Sequence, residues 1–548
     1  MNYKENYNAW LNNPKLNINI KKELETMDEE TIKFSFANNL SFGTAGMRGI
    51  MGLGTNKLNI YTIRKATLGY ANYLLKYIEN SKDKGIVIGH DNRLNSREFC
   101  LECANLLSSF GIKVYIFDAL RPTPEISFAI RKLQTAGGII ITASHNPKEY
   151  NGYKVYDETG CQLTDNKCNT LVDEINKIDD ILSFEFTKNE KLITTLSSEF
   201  DEIYYNEIKK IQINQSTNKN IKIVYSPQHG AALQAVKEVL TSLGYKLYLV
   251  ESQCSYDPYF SNTLSANPES KDAYIEAIKL AKKVDADLIL TTDPDGDRIG
   301  MQVKHNNQYH FLTGNQNVYL LLEYILSTKK DYNSPLVVSS IVTSPLIEYI
   351  SKKYNAFFRQ TLTGYKYIGE LMNNYENSKE FAFAVEESCG YNFSNIVRDK
   401  DGVQAALMIS EMCNYYSNKG MTLIDKLYDI YEEYGYHFEK SISIQLNPLT
   451  FKEDVGFVMD LLRKETKNDI AGYKIKLIED YSNGYLNFPK SNLLKFILED
   501  NSFIAIRPSG TEPKCKIYYC IKEKTKEEAK RKYESIKNYF SKYLPSQN

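Results

Sequence analysis

Three stretches of this chain repeat one another. LLSSFGIKVYIFDA (106–119) and VLTSLGYKLYLVES (239–252) agree in order and chemistry. YISKKYNAFFRQT (349–361) is a weaker third copy, with Asn355 where the glycine stood. Each reads as a helix end, a residue suited to the C′ position, and an alternating strand. A strand and a helix precede each copy: GIVIGHDNRLNSREFCLECAN, NIKIVYSPQHGAALQAVKEV and PLVVSSIVTSPLIEYI. After each copy comes a helix, then a short apolar strand ending in a polar loop: GIIITASHNP, ADLILTTDPDGDR and FAFAVEESCGY. Strands alternating with helices over short connections predict βαβ units and a parallel-containing sheet. Such sheets gather ligands at the carboxyl ends of their strands, so three homologous loops are expected to converge on one cleft. The predicted α/β domains are 1–205, 206–320 and 321–435. Residues 436–548 follow a different order and read as a separate α+β domain.

Composition narrows the function classes. The 548 residues carry 67 Lys+Arg against 68 Asp+Glu, and 42% are hydrophobic, a globular balance with ample material for cores. Near-zero net charge offers no global attraction to nucleic acid or to an anionic membrane, so neither partner is expected. Anionic ligands then need a local site. The first residues, MNYKENYNAWLNNPKLNI, are polar, and runs such as VYLLLEYILS from Val318 are too short to span a bilayer. The expected location is the cytoplasm. Nine cysteines in so long a chain are no disulfide framework. Cys100 and Cys103 form a C-x-x-C inside a helical apolar pattern, with no second pair beside it, and are expected to be core thiols.

Four loops carry the chemistry. In TTDPDGDR, Asp293, Asp295 and Asp297 alternate behind a buried strand, and three carboxylates so close call for a cation. Hard oxygen ligands suit Mg²⁺ in phosphate chemistry. A calcium EF-hand is excluded, because position six would be Arg298 and position twelve Lys304. In VEESCGY, Glu386, Glu387 and Ser388 could serve as a glycosidase pair or accept hydrogen bonds from sugar hydroxyls. Adjacent residues point apart, which favours the hydroxyls over a pair flanking one bond. In VRDKDG, Arg398 and Lys400 could neutralise phosphate or move a proton. RPSGTEPK combines Arg507, Ser509, Gly510, Thr511 and Lys514 in a turn able to form an anion nest, although no Walker loop is present. The Gly-rich SFGTAGMRGIMGLG lacks G-x-G-x-x-G, and its Arg48 suits an approach to a phosphorylated group.

Ser144, in TASHNP, is the ambiguous member. A nucleophile elbow would read G-x-S-x-G, and here the flanks are Ala143, Asn146 and Pro147. His145, as the next residue, is poorly placed to serve as its base. Alone, Ser144 reads as a turn residue. Beside a magnesium loop and an anion nest, a phosphoryl carrier makes better chemical sense.

TASHNP, DPDGDR, EES with VRDKDG, and RPSGTEPK, in this order, resemble the α-D-phosphohexomutase superfamily in its phosphoglucomutase and phosphopentomutase branch. GTAGMRG, SPQHGAA and TLTGYKYIG add to the likeness, which covers nearly the whole chain. The resemblance implies a heart-shaped, four-domain enzyme with mixed sheets sandwiched by helices around a central cleft. It implies that Ser144 is the phosphoserine, and that Asp293, Asp295 and Asp297 hold Mg²⁺ with its oxygen. Glu386 and Ser388 would bind sugar hydroxyls, assisted by Thr363 and Gly364. Arg507, Ser509, Gly510, Thr511 and Lys514 would grip the phosphate that is not transferred. Arg48, His145, Lys154, Arg298 and Lys400 would line the cleft, with Lys400 the acid/base in one direction and His145 or Lys154 in the other. Cys389 stands where the branch commonly has an aliphatic residue, a small change.

The activity so implied interconverts glucose 1-phosphate and glucose 6-phosphate through glucose 1,6-bisphosphate. EES favours glucose without excluding pentose phosphates. The alternatives are a phosphopentomutase, a glucose-1,6-bisphosphate synthase, or an inactive sugar-phosphate-binding protein. The intact Ser144, three aspartates and Lys400 count against the last.

Overall fold

The repeat has a backbone cause. After the helices Ser96–Ser109, Leu233–Ser242 and Leu346–Lys353, the chain turns at Gly111, Gly244 and Asn355, with φ of +77°, +87° and +55°. Only glycine enters this left-handed region freely, and asparagine is among the residues that tolerate it best. The weaker third copy thus keeps the conformation with the other residue able to adopt it. The strands Val114–Phe117, Lys246–Leu249 and Phe357–Thr361 follow.

The computed structural model describes residues 2–43, 46–215, 218–446, 451–508 and 514–543, the side chains of 451 and 452 excepted. Among these residues the strands form four sheets, and three share one pattern. In the first, Ile86–His90 lies between Val114–Phe117 and Gly137–Ile141, parallel to both, and Tyr150–Asp157 returns antiparallel to Gly137–Ile141. Lys222–Ser226, Lys246–Leu249, Leu288–Thr292 and Ile299–His305 repeat this order in the second. Leu336–Ser340, Phe357–Thr361, Phe381–Glu386 and Gly390–Asn392 repeat it in the third. The third strand of each unit therefore ends at an equivalent place, and its loop is TASHNP, DPDGDR or EESC. Gly46–Ile50, which carries Arg48, extends the first sheet beside Tyr150–Asp157. The fourth sheet is antiparallel throughout, from Tyr436–Gln445 through Lys514–Glu523, Phe503–Pro508, Leu494–Leu498 and Tyr473–Asp480 to Asp469–Ile470. The fold is thus three α/β units with mixed sheets and a C-terminal sheet unit covered by helices such as Lys526–Ser541.

One hydrophobic core runs through the first three units, joining Phe128 and Tyr204 to Ile223, Val236, Leu321 and Ala406. Its axis is the helix Gly402–Ser417, buried on nearly every side as its apolar sequence requires. Truncating Leu407 there, fully buried, would cost about 2–5 kcal/mol. A smaller core of Ile341, Val342, Leu362, Tyr481, Phe503 and Tyr518 joins the third unit to the fourth. Cys100 and Cys103 are buried free thiols, as expected. No helix among the described residues is long and apolar enough to cross a membrane.

Candidate active site

The buried strand Gly137–Ile141 delivers the loop that carries Ser144. Ser144 is almost wholly buried and has φ of +52°, a strained conformation for a residue with a side chain. Its backbone N–H donates to Thr142 Oγ1 at 2.8 Å, and its Oγ donates to Asp293 Oδ2 at 2.8 Å. His145 Nδ1 lies 3.3 Å from the same Oγ, within reach although longer than the contact to Asp293. Burial and the cations of Arg298 and Arg48 hold the His145 imidazole well below its ordinary pKa. Arg48 Nη1 donates to Asn146 Oδ1 at 2.9 Å, which places it on the rim of the serine loop.

Asp293, Asp295 and Asp297 are buried, with one carboxylate oxygen of each within 4.8 Å of the others. Gly296 has φ of +67°, and a Cβ there would stand 2.8 Å from Ala232 Cβ and 2.9 Å from Pro122 Cβ, so the loop can close only around glycine. Lys154 Nζ lies 2.8 Å from Asp295 Oδ2 and 3.4 Å from Asp297 Oδ2. Lys400 Nζ lies 3.1 Å from Asp297 Oδ2 and 3.0 Å from Asp399 Oδ1. Thr123 Oγ1 donates to Asp295 Oδ2 at 3.0 Å. Burial opposes ionisation of Asp295, but Lys154 and its other neighbours outweigh that and hold its carboxyl below the usual range. Burial, Asp295 and Asp297 push Asp293 well above it. Asp295 Oδ1 and Asp297 Oδ1 are buried without a hydrogen-bond partner. Hard oxygen donors, two of them without a hydrogen bond, fit a divalent cation.

Glu386 and Glu387 diverge, as adjacent residues should. Glu386 Oε1 accepts from the Gly364 N–H at 2.8 Å, and Glu387 Oε2 from Ser340 Oγ at 3.1 Å and Thr343 Oγ1 at 3.3 Å. Burial raises the Glu386 carboxyl, with Lys400 opposing. Thr363 Oγ1 is buried without a partner. Ser388 is buried, and its carbonyl accepts from Arg298 Nη1 at 3.3 Å, while the same Nη1 lies 3.2 Å from Glu269.

Arg398 differs from the expectation. Its guanidinium is fully buried and committed to structure: Nε donates to Asn373 Oδ1 at 2.5 Å, Nη1 to the Asn395 carbonyl at 2.6 Å, and Nη2 pairs with Glu376 at 2.6 Å. With its charge neutralised there, it is a brace inside the third unit rather than a phosphate ligand. Ser509, Gly510 and Thr511 lie outside the described residues. Arg507, one residue before the end of the strand Phe503–Pro508, lies opposite Lys516 in register, and Lys514 opens the next strand. Lys514 acts electrostatically on His145, and Lys516 on Glu269, Glu387 and Arg298, so this hairpin faces the same cleft.

Sequence reasoning missed Arg93, Thr123, Asp399, Glu269 and Lys516. Arg93 was within reach of the rule used for the other loops, because HDNR ends the strand Ile86–His90 at its carboxyl edge.

Known proteins resemble this chain over most of its length. The models of phosphoglucomutase/phosphomannomutase α/β/α domains I, II and III match residues 39–181, 202–306 and 313–434. A phosphoglucomutase of Staphylococcus haemolyticus is 37% identical over 514 residues, covering 90% of this chain and 93% of its own. One of Staphylococcus aureus is 38% identical over 503 residues, covering 89% and 90%. Among solved structures, the open form of Paramecium parafusin, a phosphoglucomutase, superposes with a TM-score of 0.71 at 19% identity, over 93% of this chain and 96% of that one. A Burkholderia thailandensis phosphoglucomutase/phosphomannomutase family protein gives 0.68 at 17% identity, over 92% and 98%. Three consecutive domain matches, laid on three sheets of one strand order whose loops meet at Ser144 and the aspartates, make this chain a member of the phosphoglucomutase/phosphomannomutase family.

Proposed function

We propose that this chain is a phosphoglucomutase, a phosphosugar mutase that interconverts glucose 1-phosphate and glucose 6-phosphate through a phosphorylated Ser144 and glucose 1,6-bisphosphate. The observation that carries the reading is the 2.8 Å contact of Ser144 Oγ with Asp293, inside a buried three-aspartate loop faced by Lys154 and Lys400. Curated phosphoglucomutases at 36–38% identity over most of the chain support glucose as the sugar.

Ser144 Oγ hands its phosphoryl group to the free hydroxyl of a sugar monophosphate, and that hydroxyl's proton passes to a base in the cleft. The bisphosphate turns over, and its other phosphate returns to Ser144. Asp293, Asp295 and Asp297 hold Mg²⁺, which when bound offsets the charge of the transferring group. Lys400 on one side, and His145 or Lys154 on the other, supply the proton transfers. Glu386, Ser388, Thr363 and Gly364 meet the sugar hydroxyls. Arg507 and Lys514, with Ser509, Gly510 and Thr511, hold the idle phosphate, and Arg48 and Arg298 add positive charge to the rim. Its partners are small sugar phosphates. The nine free thiols suit a reducing compartment, and the cytoplasm belongs to the same reading.

Comparing turnover of glucose 1-phosphate, ribose 1-phosphate and mannose 1-phosphate tests the substrate. We expect glucose 1-phosphate to have the highest kcat/KM. A preference for ribose 1-phosphate would make the enzyme a phosphopentomutase instead. Glucose 1,6-bisphosphate accumulating only with a second phosphoryl donor would make it a synthase.

A further inference from the structure

Arg93 is among the largest fully buried side chains of the molecule. Its guanidinium serves one stretch of backbone. Nη2 donates to the carbonyls of Ser144 and Asn146, each at 2.6 Å, and Nη1 to those of Pro147 and Tyr150, each at 2.8 Å. Nε lies 3.2 Å from Asp91 Oδ2, and the other oxygen of Asp91 accepts from the Arg93 backbone N–H at 3.0 Å and from Ser96 Oγ at 2.9 Å. The fork is therefore anchored behind by a carboxylate and occupied in front by four carbonyls of a single loop.

That loop needs such a clamp. Ser144 sits at φ +52°, and a residue with a side chain stays there only when its surroundings hold it. The Thr142 hydroxyl holds the Ser144 N–H on one side, and Arg93 holds the Ser144 carbonyl on the other. A planar guanidinium with donors at fixed angles can satisfy four carbonyls together, whereas an ammonium cannot reproduce that geometry.

The clamp also reaches the metal loop's own unit. Phe260, from the second unit, covers the guanidinium with its ring centroid 5.4 Å away, and Asn92 Nδ2 donates to the Asp257 carbonyl in the same segment at 3.3 Å. Ser144 belongs to the first unit and Asp293 to the second. Arg93 touches the backbone of one and the packing of the other.

We propose that Arg93 is a positioning residue for phosphoryl transfer: it fixes the Ser144 loop in its left-handed turn and in register with the second unit, so that Ser144 Oγ stays aimed at Asp293. The inference rests on Ser144 being the phosphoryl carrier. The guanidinium of Arg93 is buried and committed to four loop carbonyls and Asp91, so its loss slows transfer without weakening substrate binding.

The test is Arg93→Lys, measured by steady-state kinetics, thermal melting, and the single-turnover rate at which glucose 1,6-bisphosphate phosphorylates Ser144, followed by intact mass. We expect kcat and the phosphorylation rate to fall about 100-fold, the scale of an ångström-level misplacement, with KM for glucose 1-phosphate within about 2-fold. Guanidinium ions added to Arg93→Gly should restore part of kcat. Wild-type kcat in Arg93→Lys, or a rise in KM with kcat unchanged, overturns the inference. Should Arg93→Lys not fold, Phe260→Leu decides, since it leaves every hydrogen bond of Arg93 in place. A kcat reduced about 3-fold or more at constant KM supports the clamp, and an unchanged kcat overturns it. Ser144→Ala in parallel separates the two readings. If that variant keeps full activity, the carrier assignment fails. If it is inactive while Arg93→Lys is fully active, only the positioning role fails.

Discussion

Ser144 Oγ donates to Asp293 Oδ2 at 2.8 Å although 149 residues separate them in the chain. The contact joins the ends of two equivalent strands in two equivalent sheets, so it follows from the repeat as much as from either loop. A hydroxyl in that place can carry a phosphoryl group that keeps an oxygen beside the aspartates. Ser144→Ala is expected to lower kcat by about 10⁴-fold or more, the scale seen when a covalent nucleophile is removed. Glucose 1-phosphate binding, measured by calorimetry, should stay near the wild-type value. In wild-type protein, intact mass should show a species heavier by about 80 Da, one phosphoryl group, located on the Ser144 peptide. Full turnover by the alanine variant would sink the mechanism.

The three aspartates give a second expectation. Their ligand oxygens lie within 4.8 Å of one another, and two oxygens have no hydrogen-bond partner. A divalent cation should therefore stabilise the fold as well as serve turnover. Chelation is expected to stop the reaction and Mg²⁺ to restore it. Mg²⁺ at about 100 times its Kd should add about 2.7 kcal/mol and raise Tm accordingly. Turnover and Tm that both ignore chelator and Mg²⁺ would remove the role given to the loop.

What the sequence disclosed, and what it hid, divides by range. TASHNP, DPDGDR and EES are short segments whose chemistry is complete within a few residues, so local reading found them. The repeat was legible because Gly111, Gly244 and Asn355 answer a backbone demand that any sequence must meet the same way. Arg93 escaped because its partners are carbonyls, which have no sequence signature, and they lie 51 to 57 residues away. Arg398 was misread for the converse reason. It stands two residues before Lys400, which reaches the aspartates, yet its own guanidinium turns back to Glu376 and Asn373. Nothing local fixes which way each side chain of an irregular segment points.

Lys400 is held in place by what its neighbour lacks. A Cβ on Gly390 would stand 2.2 Å from Lys400 Cδ and 2.8 Å from its Cγ. Gly390→Ala therefore pushes the lysine stem aside and draws its ammonium from Asp297 and Asp399 without changing a charge. We expect kcat to fall about 10- to 100-fold, in the range of one displaced acid/base group, with a smaller effect on KM. A variant as active as wild type would show that the placement of Lys400 does not limit turnover.

The strand that leads into the fourth unit carries two titrating groups of opposite effect. Burial pushes the Glu439 carboxyl up to about 7 from 4.5, despite the hydrogen bond it accepts from Tyr319. Burial pushes the His437 imidazole down to about 4 from 6.5, with Nδ1 3.0 Å from the Gly435 carbonyl. The signs follow from proton uptake. Folded Glu439 keeps a proton that the unfolded chain loses, so its contribution is complete below pH 4.5 and is lost as pH rises through about 7. Folded His437 resists a proton that the unfolded chain takes up, so its contribution is present above pH 6.5 and is lost as pH falls towards 4. The two oppose each other between about pH 4.5 and 6.5. Glu439→Gln removes one of them. We expect the variant to be more stable than wild type by about 3 kcal/mol at pH 8, by the free-energy value of such a shift. At pH 4.5 the gain should shrink to about 0.4 kcal/mol, because the wild-type carboxyl is then protonated in the folded state and half protonated in the unfolded one. Thermal melts at pH 4.5, 6 and 8 measure the difference directly. A stability gap between the two proteins that is the same at all three pH values would mean that Glu439 titrates alike in the folded and unfolded chain.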